Sequence, residues 1–249
     1  MPRQQVETYL GNVNVKKDGV QQDWTEEEIV EYQKCFDDPV YFTQTYVKIV
    51  SLDEGLVPFS LYPYQNKMFG HFNDNRFSIV LACRQSGKSI SVCAYLLWYV
   101  LFNPEKTVAI LANKGQVARE MLARVTLMLE NIPFFLQPGC KALNKGSLEF
   151  SNNSRIIASA TSGSSIRGLS VSLLYLDEFA FVEKASEFYT STYPVISAGG
   201  DTKVIITSTA NGLGNVFHKL WEGSQQNTNE FKPFRVDWHD VPGRDEKWK

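Results

Sequence analysis

The chain reads Ala82-Cys83-Arg84-Gln85-Ser86-Gly87-Lys88-Ser89 directly after the apolar run Phe77-Ser78-Ile79-Val80-Leu81 and directly before a long amphipathic segment. This order predicts a strand, a phosphate-binding loop and a helix. Backbone N–H groups of such a loop point at phosphate oxygens, the Lys88 ammonium adds positive charge, and the Ser89 hydroxyl can ligate Mg²⁺. The segment therefore indicates a nucleoside triphosphate as ligand.

The loop departs from the common pattern GxxxxGK[ST] at one position, because Ala82 stands where the first glycine is expected. Two interpretations are open at this point. Either the segment binds phosphate, or Gly87 only ends a strand and Lys88 with Ser89 begins an ordinary exposed helix. Other parts of the chain have to distinguish between them.

A second motif is the apolar run Leu173-Leu174-Tyr175-Leu176, which ends in the adjacent carboxylates Asp177 and Glu178. Ligands of open α/β sheets collect at the carboxyl ends of strands. There Asp177 can hold the Mg²⁺ that bridges two phosphates, and Glu178 can orient or deprotonate an attacking water. The alternative is that the pair only caps the next helix. Together the two motifs favour nucleotide hydrolysis over simple binding.

A third motif, Thr207-Ser208-Thr209, follows another apolar strand and precedes Asn211-Gly212. Its hydroxyls can sense the terminal phosphate or its water and pass the change to the next helix. The alternative is a polar turn closed by Asn-Gly.

Two arginines are candidates for neutralising charge during the reaction. Arg84 lies within the loop, where it can reach the terminal phosphate of its own site or pair with a carboxylate. Arg167, in the small-residue loop 163–168, can be offered to a neighbouring subunit's nucleotide. A contact with a DNA phosphate and a plain surface charge are the alternatives for Arg167.

Composition sets wider limits. The 249 residues are 43% hydrophobic, which is enough for one large α/β domain or two small ones. The net charge of -2 does not indicate a protein that coats nucleic acid, although a local basic face is compatible with it. The four cysteines form no CxxC pair, so neither a zinc site nor a disulfide framework is indicated. No apolar stretch reaches membrane-spanning length, and we expect a soluble intracellular protein.

The polar residues 1–23 are predicted to form a loose leader. Thr25 with Glu28 has the pattern of a capping box, and Asp38 before Pro39 is typical of a helix start, so two helices are predicted next. A loop at 55–60 and a short helix from Pro63 should precede the first core strand.

Strands and helices are then predicted to alternate. Strands are expected at 77–82, 107–112, 172–176 and 203–207, helices at 88–101, 116–130 and near 185–193, and a hairpin at 147–159. Near-continuous apolar strands suit a parallel sheet with helices on both faces. The predicted fold class is α/β, a doubly wound, mainly parallel sheet of the P-loop NTPase type with a small helical N-terminal or lid subdomain.

At these motifs the chain resembles the ATPase domain of the large terminase subunit of tailed bacteriophages, in particular contractile-tailed ones. That domain is the motor that packages DNA into proheads. The resemblance covers nearly the whole chain and rests on Asp38-Pro39-Val40-Tyr41-Phe42, Tyr64-Gln65, the loop 83–89, Ser165-Ile166-Arg167-Gly168 and the segments 174–179 and 207–213. Loops of this family commonly lack the first glycine, as here.

The resemblance implies ATP and Mg²⁺ as cofactors. It assigns adenine binding to Gln65, phosphate and Mg²⁺ contacts to Lys88 and Ser89, Mg²⁺ organisation to Asp177 and catalysis to Glu178. The segment 207–209 is similar to a coupling motif. The expected nucleotide-binding residues are Gln65, Arg84, Gln85, Ser86, Gly87, Lys88, Ser89, Thr207, Ser208 and Thr209, and the expected catalytic residues are Lys88, Glu178, Arg84 and Arg167.

The resemblance further implies double-stranded DNA, the portal and prohead, and the small terminase subunit as partners. It implies a homo-oligomeric ring, a pentamer, in the assembled motor in the host cytoplasm, a monomer in isolation, and no membrane. A complete large terminase also carries a ribonuclease-H-type nuclease domain. Because the chain stops at Lys249, we expect a truncated protein without nuclease activity.

We expect three segments: a leader and helical lid segment at 1–59, the ATPase core at 60–215, and a C-terminal lid segment at 216–249. Two other functions are alternatives. A two-lobed helicase shares the loop and the Asp-Glu pair, but the chain after Thr209 is too short for a second lobe. A nucleotide-dependent switch without productive turnover is the other, and Glu178 argues against it.

Overall fold

The computed structural model describes residues 7–161, 170–198 and 200–247. Its strands are β1 (Thr8–Tyr9), β2 (Asn12–Lys16), β3 (Lys48–Ser51), β4 (Gly55–Pro58), β5 (Phe77–Ala82), β6 (Thr107–Ala112), β7 (Cys140–Leu143), β8 (Ser147–Phe150), β9 (Arg155–Ala160), β10 (Leu173–Asp177), β11 (Lys203–Ser208) and β12 (Lys232–Val236). Its α-helices are α1 (Glu26–Asp37), α2 (Pro39–Tyr46), α3 (Pro63–Asp74), α4 (Lys88–Phe102), α5 (Gly115–Leu129), α6 (Ala185–Ala198) and α7 (Val216–Gln225).

An eight-stranded sheet forms the centre of the fold, in the order β12-β5-β11-β10-β6-β9-β8-β7. The strands from β12 to β9 run parallel, and β8 and β7 continue the sheet antiparallel. The mainly parallel sheet is therefore confirmed, as is the hairpin of β8 and β9. Only β11 separates β5 from β10, so the loop after β5 and the acids after β10 lie at the same edge of the sheet.

Apolar side chains cover both faces of the sheet. Val80, Ile110 and Tyr175 belong to the core cluster that contains α4 and α5, whereas Ile79 and Leu111 belong to the cluster that contains α6 and α7. This alternation follows from the two-residue period of a strand. Helices on both faces, the defining feature of the predicted doubly wound fold, are confirmed.

Helix α4 differs from the amphipathic helix that was predicted, because it is buried on nearly every side. All its residues from Ser91 to Phe102 are buried. Helices α2, α3 and α5 pack against it, and the Trp98 indole donates a hydrogen bond of 2.7 Å to the Cys35 carbonyl on α1. The helix that begins at the phosphate-binding loop is therefore fixed within the core.

The helices before the core begin as predicted. The Thr25 hydroxyl accepts from the Glu28 N–H, and Glu28 accepts from the Thr25 N–H in return, which forms a capping box at the start of α1. The Asp38 carboxylate caps α2, with Pro39 at the first helical position. Helix α3 also begins at Pro63, as predicted, and continues to Asp74.

Two predictions for the N-terminal third are wrong. The described part of the segment 1–23 contains the hairpin β1–β2, in which Val15 is fully buried and the Lys16 N–H donates to the Gln137 side chain over 2.9 Å. The segment 55–60 is not only a loop, because β4 pairs with β3. Both hairpins have short strands, of two to five residues, so each offers too few positions for a periodic pattern.

Strand β12 was not predicted and adds an edge strand beside β5. Pro233 lies within it, which an edge strand tolerates because its N–H groups on one side meet no partner strand in the described part of the sheet. The described helices include none that is both long and apolar enough to cross a membrane.

Candidate nucleotide-binding site

The loop between β5 and α4 has the backbone of a phosphate-binding loop. Gln85 and Gly87 adopt left-handed conformations, with φ of 54° and 72°. The Ser86 carbonyl accepts from the Tyr64 hydroxyl over 2.6 Å, and the Gly87 carbonyl accepts from the Ser91 hydroxyl over 2.9 Å. Its carbonyls are thus bound by neighbouring side chains, and loops with such left-handed residues form concavities of backbone N–H groups that bind anions.

Asp177 is held at the end of β10 by two hydroxyl groups. The Tyr175 hydroxyl and the Thr207 hydroxyl each donate to its Oδ1 atom over 2.8 Å. The Ser89 hydroxyl lies 3.2 Å from the same oxygen. Neighbouring oxygen ligands of an octahedral Mg²⁺ lie about 3 Å apart, because each sits about 2.1 Å from the ion. The predicted metal ligands Ser89 and Asp177 therefore fit one ion.

Glu178 faces the loop lysine. The Lys88 Nζ atom lies 2.5 Å from Glu178 Oε1, and the Thr209 N–H donates to Oε2 over 3.1 Å. Burial raises the pKa of Glu178, but the hydrogen bond and charge of Lys88, together with the contacts from Thr209, outweigh it and lower the pKa below its ordinary value. Glu178 is therefore ionised at neutral pH.

Glu178 also has a left-handed backbone, with φ of 48° and ψ of 45°. Such a conformation is costly for a residue with a side chain, and active sites are among the places where such residues cluster. It turns the chain sharply after β10, so that Asp177 contacts Ser89 while Glu178 contacts Lys88. The two adjacent acids thus contact two different residues of the opposite segment.

The third motif contacts both acids. Thr207 donates to Asp177, Thr209 donates to Glu178, and the Ser208 hydroxyl accepts from the Ala180 N–H over 3.1 Å. The end of β11 is therefore connected to the acids and to the backbone that follows them. This contact was not foreseen, since the motif was expected to sense phosphate.

A cleft of 470 Å³ brings most of the predicted catalytic groups together: it is lined by Arg84, Gln85, Lys88, Asp177, Glu178 and Thr209, with Ala112, Asn113, Val117 and Phe181. Arg84 is exposed at its rim. Arg167 lies outside the described residues, and its role stays a prediction.

Gln65 lies on the other side of the loop, at a second cavity of 840 Å³ that Tyr62, Gln85, Ser86 and Gly87 also line. Gln65 is only 2% exposed. Its Oε1 atom accepts from the Tyr62 N–H over 2.8 Å, and its Nε2 atom donates to the Ser91 hydroxyl over 2.9 Å. An amide oxygen and an amide nitrogen can each make one further hydrogen bond, so these contacts leave capacity for a base.

The sequence did not point to every residue of the site. The apolar run 173–176 marks Tyr175 only as a strand residue, yet its hydroxyl donates a hydrogen bond to Asp177. The two-residue period of the strand was a usable indication, because it places these two side chains on the same face. Asn113, which follows β6 at the same sheet edge, had no motif to mark it.

Comparison with known structures agrees with this fold. The crystal structure of the bacteriophage HK97 large terminase matches with a TM-score of 0.68 at 16% identity, over 84% of this chain and 45% of that one. The large terminase ATPase domain of Thermus phage P74-26 matches with a TM-score of 0.57 at 19% identity, over 76% of this chain and 86% of that one. At these identities the matches establish the fold.

A third match is the large terminase of a thermophilic bacteriophage in complex with ADP, with a TM-score of 0.60 at 13% identity, over 76% of this chain and 48% of that one. The chain thus spans about half the length of the HK97 protein and of this thermophilic phage protein.

The sequence itself matches a family profile. The profile described as "Terminase large subunit, T4likevirus-type, N-terminal" matches residues 79–248, which is more than half of the chain. The matched region includes the phosphate-binding loop, both acids and the segment at the end of β11. The chain therefore belongs to the family of N-terminal domains of T4likevirus-type large terminase subunits.

Proposed function

We propose that this domain is an ATP-hydrolysing motor and that, in the full-length large terminase, hydrolysis drives double-stranded viral DNA into a prohead. The proposal is carried by the contacts of Lys88 with Glu178 and of Ser89 with Asp177 in one cleft. A phosphate-binding loop alone fits any nucleotide-binding protein. An acid pair opposite the loop supports hydrolysis in addition to binding.

Glu178 is the group that orients the attacking water. It is ionised at neutral pH and lies in the cleft, so one carboxylate oxygen can accept a hydrogen bond from water. Thr209 fixes the other oxygen. The carboxylate is thereby held in one orientation.

Lys88 links substrate binding to the availability of the Glu178 carboxylate for water. In the structure its ammonium contacts Glu178 Oε1. An ammonium has three donors, and a triphosphate in the loop attracts them more strongly than one carboxylate does. Transfer of Lys88 to phosphate therefore frees Oε1 for water, so Glu178 becomes available when the triphosphate is in place.

Ser89 and Asp177 would hold Mg²⁺, since their oxygens are separated by 3.2 Å and Asp177 is buried and fixed by two further hydroxyls. When bound, Mg²⁺ neutralises phosphate charge during phosphoryl transfer. Gln65 would select adenine from the second cavity, through the hydrogen-bonding capacity that its amide retains.

Beyond the site itself, we propose the family's partners for the full-length protein: double-stranded DNA, the portal of the prohead, the small terminase subunit and further copies in a pentameric ring in the host cytoplasm. The division into a lid segment at 1–59, a core at 60–215 and a second lid segment at 216–249 is likewise a proposal. An arginine contributed by a neighbour typically raises turnover by about 10³–10⁵-fold. The isolated domain should therefore be slow.

The proposal is tested by nucleotide binding and single-turnover phosphate release with the 249-residue chain, with and without Mg²⁺. The parent should bind ATP in preference to GTP and release phosphate slowly. Lys88→Ala should lose binding, whereas Lys219→Ala, which removes an exposed lysine from α7, should not. Absence of ATP binding in the parent would refute the proposal. Binding with no phosphate release, even with prohead and full-length partner, would support the nucleotide-dependent switch instead.

A further inference from the structure

The segment that leaves the core after β12 makes a tight turn beside the phosphate-binding loop. In the turn Val241-Pro242-Gly243-Arg244, the Arg244 N–H donates to the Val241 carbonyl over 3.3 Å. Gly243 has a φ of 81°, and proline followed by such a glycine is typical of a type II turn. The Val241 side chain is buried in the main core cluster. The turn therefore holds Arg244 at a fixed place.

Arg244 contacts the loop through both terminal nitrogens of its guanidinium group. Its Nη1 atom donates to the Arg84 carbonyl over 3.1 Å and to the Cys83 sulfur over 3.3 Å, and its Nη2 atom donates to the Gln85 carbonyl over 2.7 Å. The planar guanidinium thus spans two successive carbonyls. One of them belongs to Gln85, whose left-handed backbone costs free energy in a residue with a side chain.

We propose that Arg244 is a positioning residue that keeps the loop ready for phosphate and fastens the departing segment to it. Tyr64 and Ser91 bind the next two carbonyls of the loop, so Arg244 completes a row of outward contacts. Because the C=O and N–H of a trans peptide point in opposite directions, holding these carbonyls also fixes the direction of the adjoining N–H groups of the loop. The inference rests on the proposed function, because it concerns the same nucleotide site.

This role predicts a specific kinetic effect. Arg244 binds carbonyls of the loop and lines the second cavity together with Gln65, whereas it does not line the cleft of Lys88 and Glu178. Its loss should therefore reduce the fraction of molecules whose loop accepts nucleotide and leave the reacting groups in place. The apparent dissociation constant then rises in inverse proportion to that fraction, whereas turnover at saturation is preserved. By reciprocity, bound nucleotide should strengthen the attachment of the departing segment to the core.

The test compares Arg244→Ala, Arg244→Lys and Gly243→Ala with a matched control, Arg235→Ala. Arg235 lies on β12 and pairs with Asp237 over 2.9 Å. Arg244→Ala removes hydrogen bonds from a charged donor. The KM for ATP and the dissociation constant for ATPγS should therefore rise about tenfold or more, with kcat nearly unchanged. Arg244→Lys should recover only part of the affinity: it restores a charged donor, but an ammonium cannot span two carbonyls as the planar guanidinium does.

Gly243→Ala keeps the arginine but strains the turn, and no heavy atom lies within 4 Å of the added methyl group. Gly243→Ala should therefore raise the KM for ATP, as Arg244→Ala does. Added guanidinium ion should restore nucleotide affinity to Arg244→Ala but not to Lys88→Ala. Arg235→Ala should match the parent in both constants.

Parental affinity in Arg244→Ala would overturn the inference while leaving the proposed function intact. The inference would also be overturned if Arg244→Ala lost both kcat and affinity, guanidinium did not restore them, and Gly243→Ala kept the parental affinity. Failure of the parent to bind ATP would instead refute the proposed function. The two failures are distinguishable, because this one is measured on the parent and the other on the variants.

Discussion

The Lys88 ammonium and the Glu178 carboxylate, which come from opposite sides of the cleft, form an ion pair of 2.5 Å. Lys88 begins α4 after β5, and Glu178 follows β10. The pair joins the substrate-binding side of the cleft to the side that is proposed to orient water. Under the proposed function, a triphosphate entering the loop would compete with Glu178 for Lys88, so that binding and activation would share one charged contact.

Replacing Glu178 by glutamine should separate binding from hydrolysis. Loss of a general base typically lowers turnover by about 10²–10⁴-fold. ATP affinity should be equal to or higher than that of the parent, because a neutral amide releases Lys88 to the phosphates. Stopped-flow phosphate release and equilibrium binding of ATP measure the two effects.

Glu183→Gln, which changes an exposed acid after the same strand, is the matched control and should behave like the parent. Release of phosphate by Glu178→Gln at the parental rate would show that another group orients the water.

The same ion pair predicts a pH dependence of stability. The pKa of Glu178 lies below its ordinary value of 4.5 in the folded state. Ionised Glu178 therefore stabilises the fold fully above its unfolded pKa of 4.5, and this contribution is lost as the pH falls through the lower folded value. Urea unfolding of the parent and of Glu178→Gln should give free energies that converge as the pH falls from above 4.5 through the lower folded pKa of Glu178. A constant difference would contradict the assigned pKa direction.

The sheet and the loop were predictable because their signals are local. Apolar runs such as 173–176 identify buried strands, and the residues between Cys83 and Ser89 identify a loop of known backbone geometry. Strand β12 and the hairpin β1–β2 were not predictable. Their residues are held by partners distant in sequence, as in the contact of Lys16 with Gln137, and no periodic pattern records such a contact.

The site shows the same division. Lys88, Asp177 and Glu178 were found because their chemistry is tied to a motif. No motif assigns a role to Tyr175 or Arg244: Tyr175 lies within the apolar run that precedes Asp177, and Arg244 lies beyond the last motif of the chain. The two-residue period of β10 indicates that Tyr175 and Asp177 share a face, and the three-dimensional arrangement adds the hydrogen bond between them.

Gly87→Ala should destabilise the domain and abolish nucleotide binding. A Cβ atom at this position would lie 2.7 Å from Gln65 Nε2, and the φ of 72° is unfavourable for alanine. The left-handed conformation alone costs about 1–2 kcal/mol. Thermal unfolding and ATP binding are the measurements.

Gly70→Ala is a control of opposite sign. Gly70 lies within α3, with no heavy atom within 4 Å of an added Cβ. Alanine in a helix interior is more favourable than glycine by about 0.5–1 kcal/mol, so this variant should be more stable than the parent. A stable, nucleotide-binding Gly87→Ala protein would mean that Gln65 moves and the loop changes its backbone at little cost.

Tyr175→Phe should weaken the response to Mg²⁺. The variant removes the Tyr175 hydroxyl, one of the two that donate to Asp177 Oδ1 over 2.8 Å, and keeps those of Thr207 and Ser89. Groups that orient a metal ligand typically affect metal affinity by about 10–100-fold. The Mg²⁺ concentration for half-maximal ATP binding should therefore rise about tenfold or more.

Tyr95→Phe is the control, because the Tyr95 hydroxyl is buried and has no hydrogen-bond partner among the described residues. Its loss should leave the Mg²⁺ response unchanged and stability equal or higher. An unchanged Mg²⁺ response in Tyr175→Phe would mean that Thr207 alone orients the acid.

The two candidate arginines predict different behaviour on mixing. Arg84 lines the cleft of its own subunit together with Lys88 and Glu178. If it supplies the neutralising charge, Arg84→Ala should lower phosphate release in the isolated domain, and addition of another variant should not restore it. An arginine acting between subunits behaves differently, because its loss can be compensated by a neighbour.

Mixing therefore assigns the role. Arg167→Ala subunits retain an intact phosphate-binding loop, and Lys88→Ala subunits retain Arg167. In an assembled mixture, some interfaces therefore place the intact loop of one variant beside the Arg167 of the other. If Arg167 acts on a neighbour's nucleotide, phosphate release under assembling conditions should exceed that of either variant alone, since the missing charge is worth about 10³–10⁵-fold in rate. No recovery at any mixing ratio, together with a slow Arg84→Ala domain, would assign the charge to Arg84 within its own subunit.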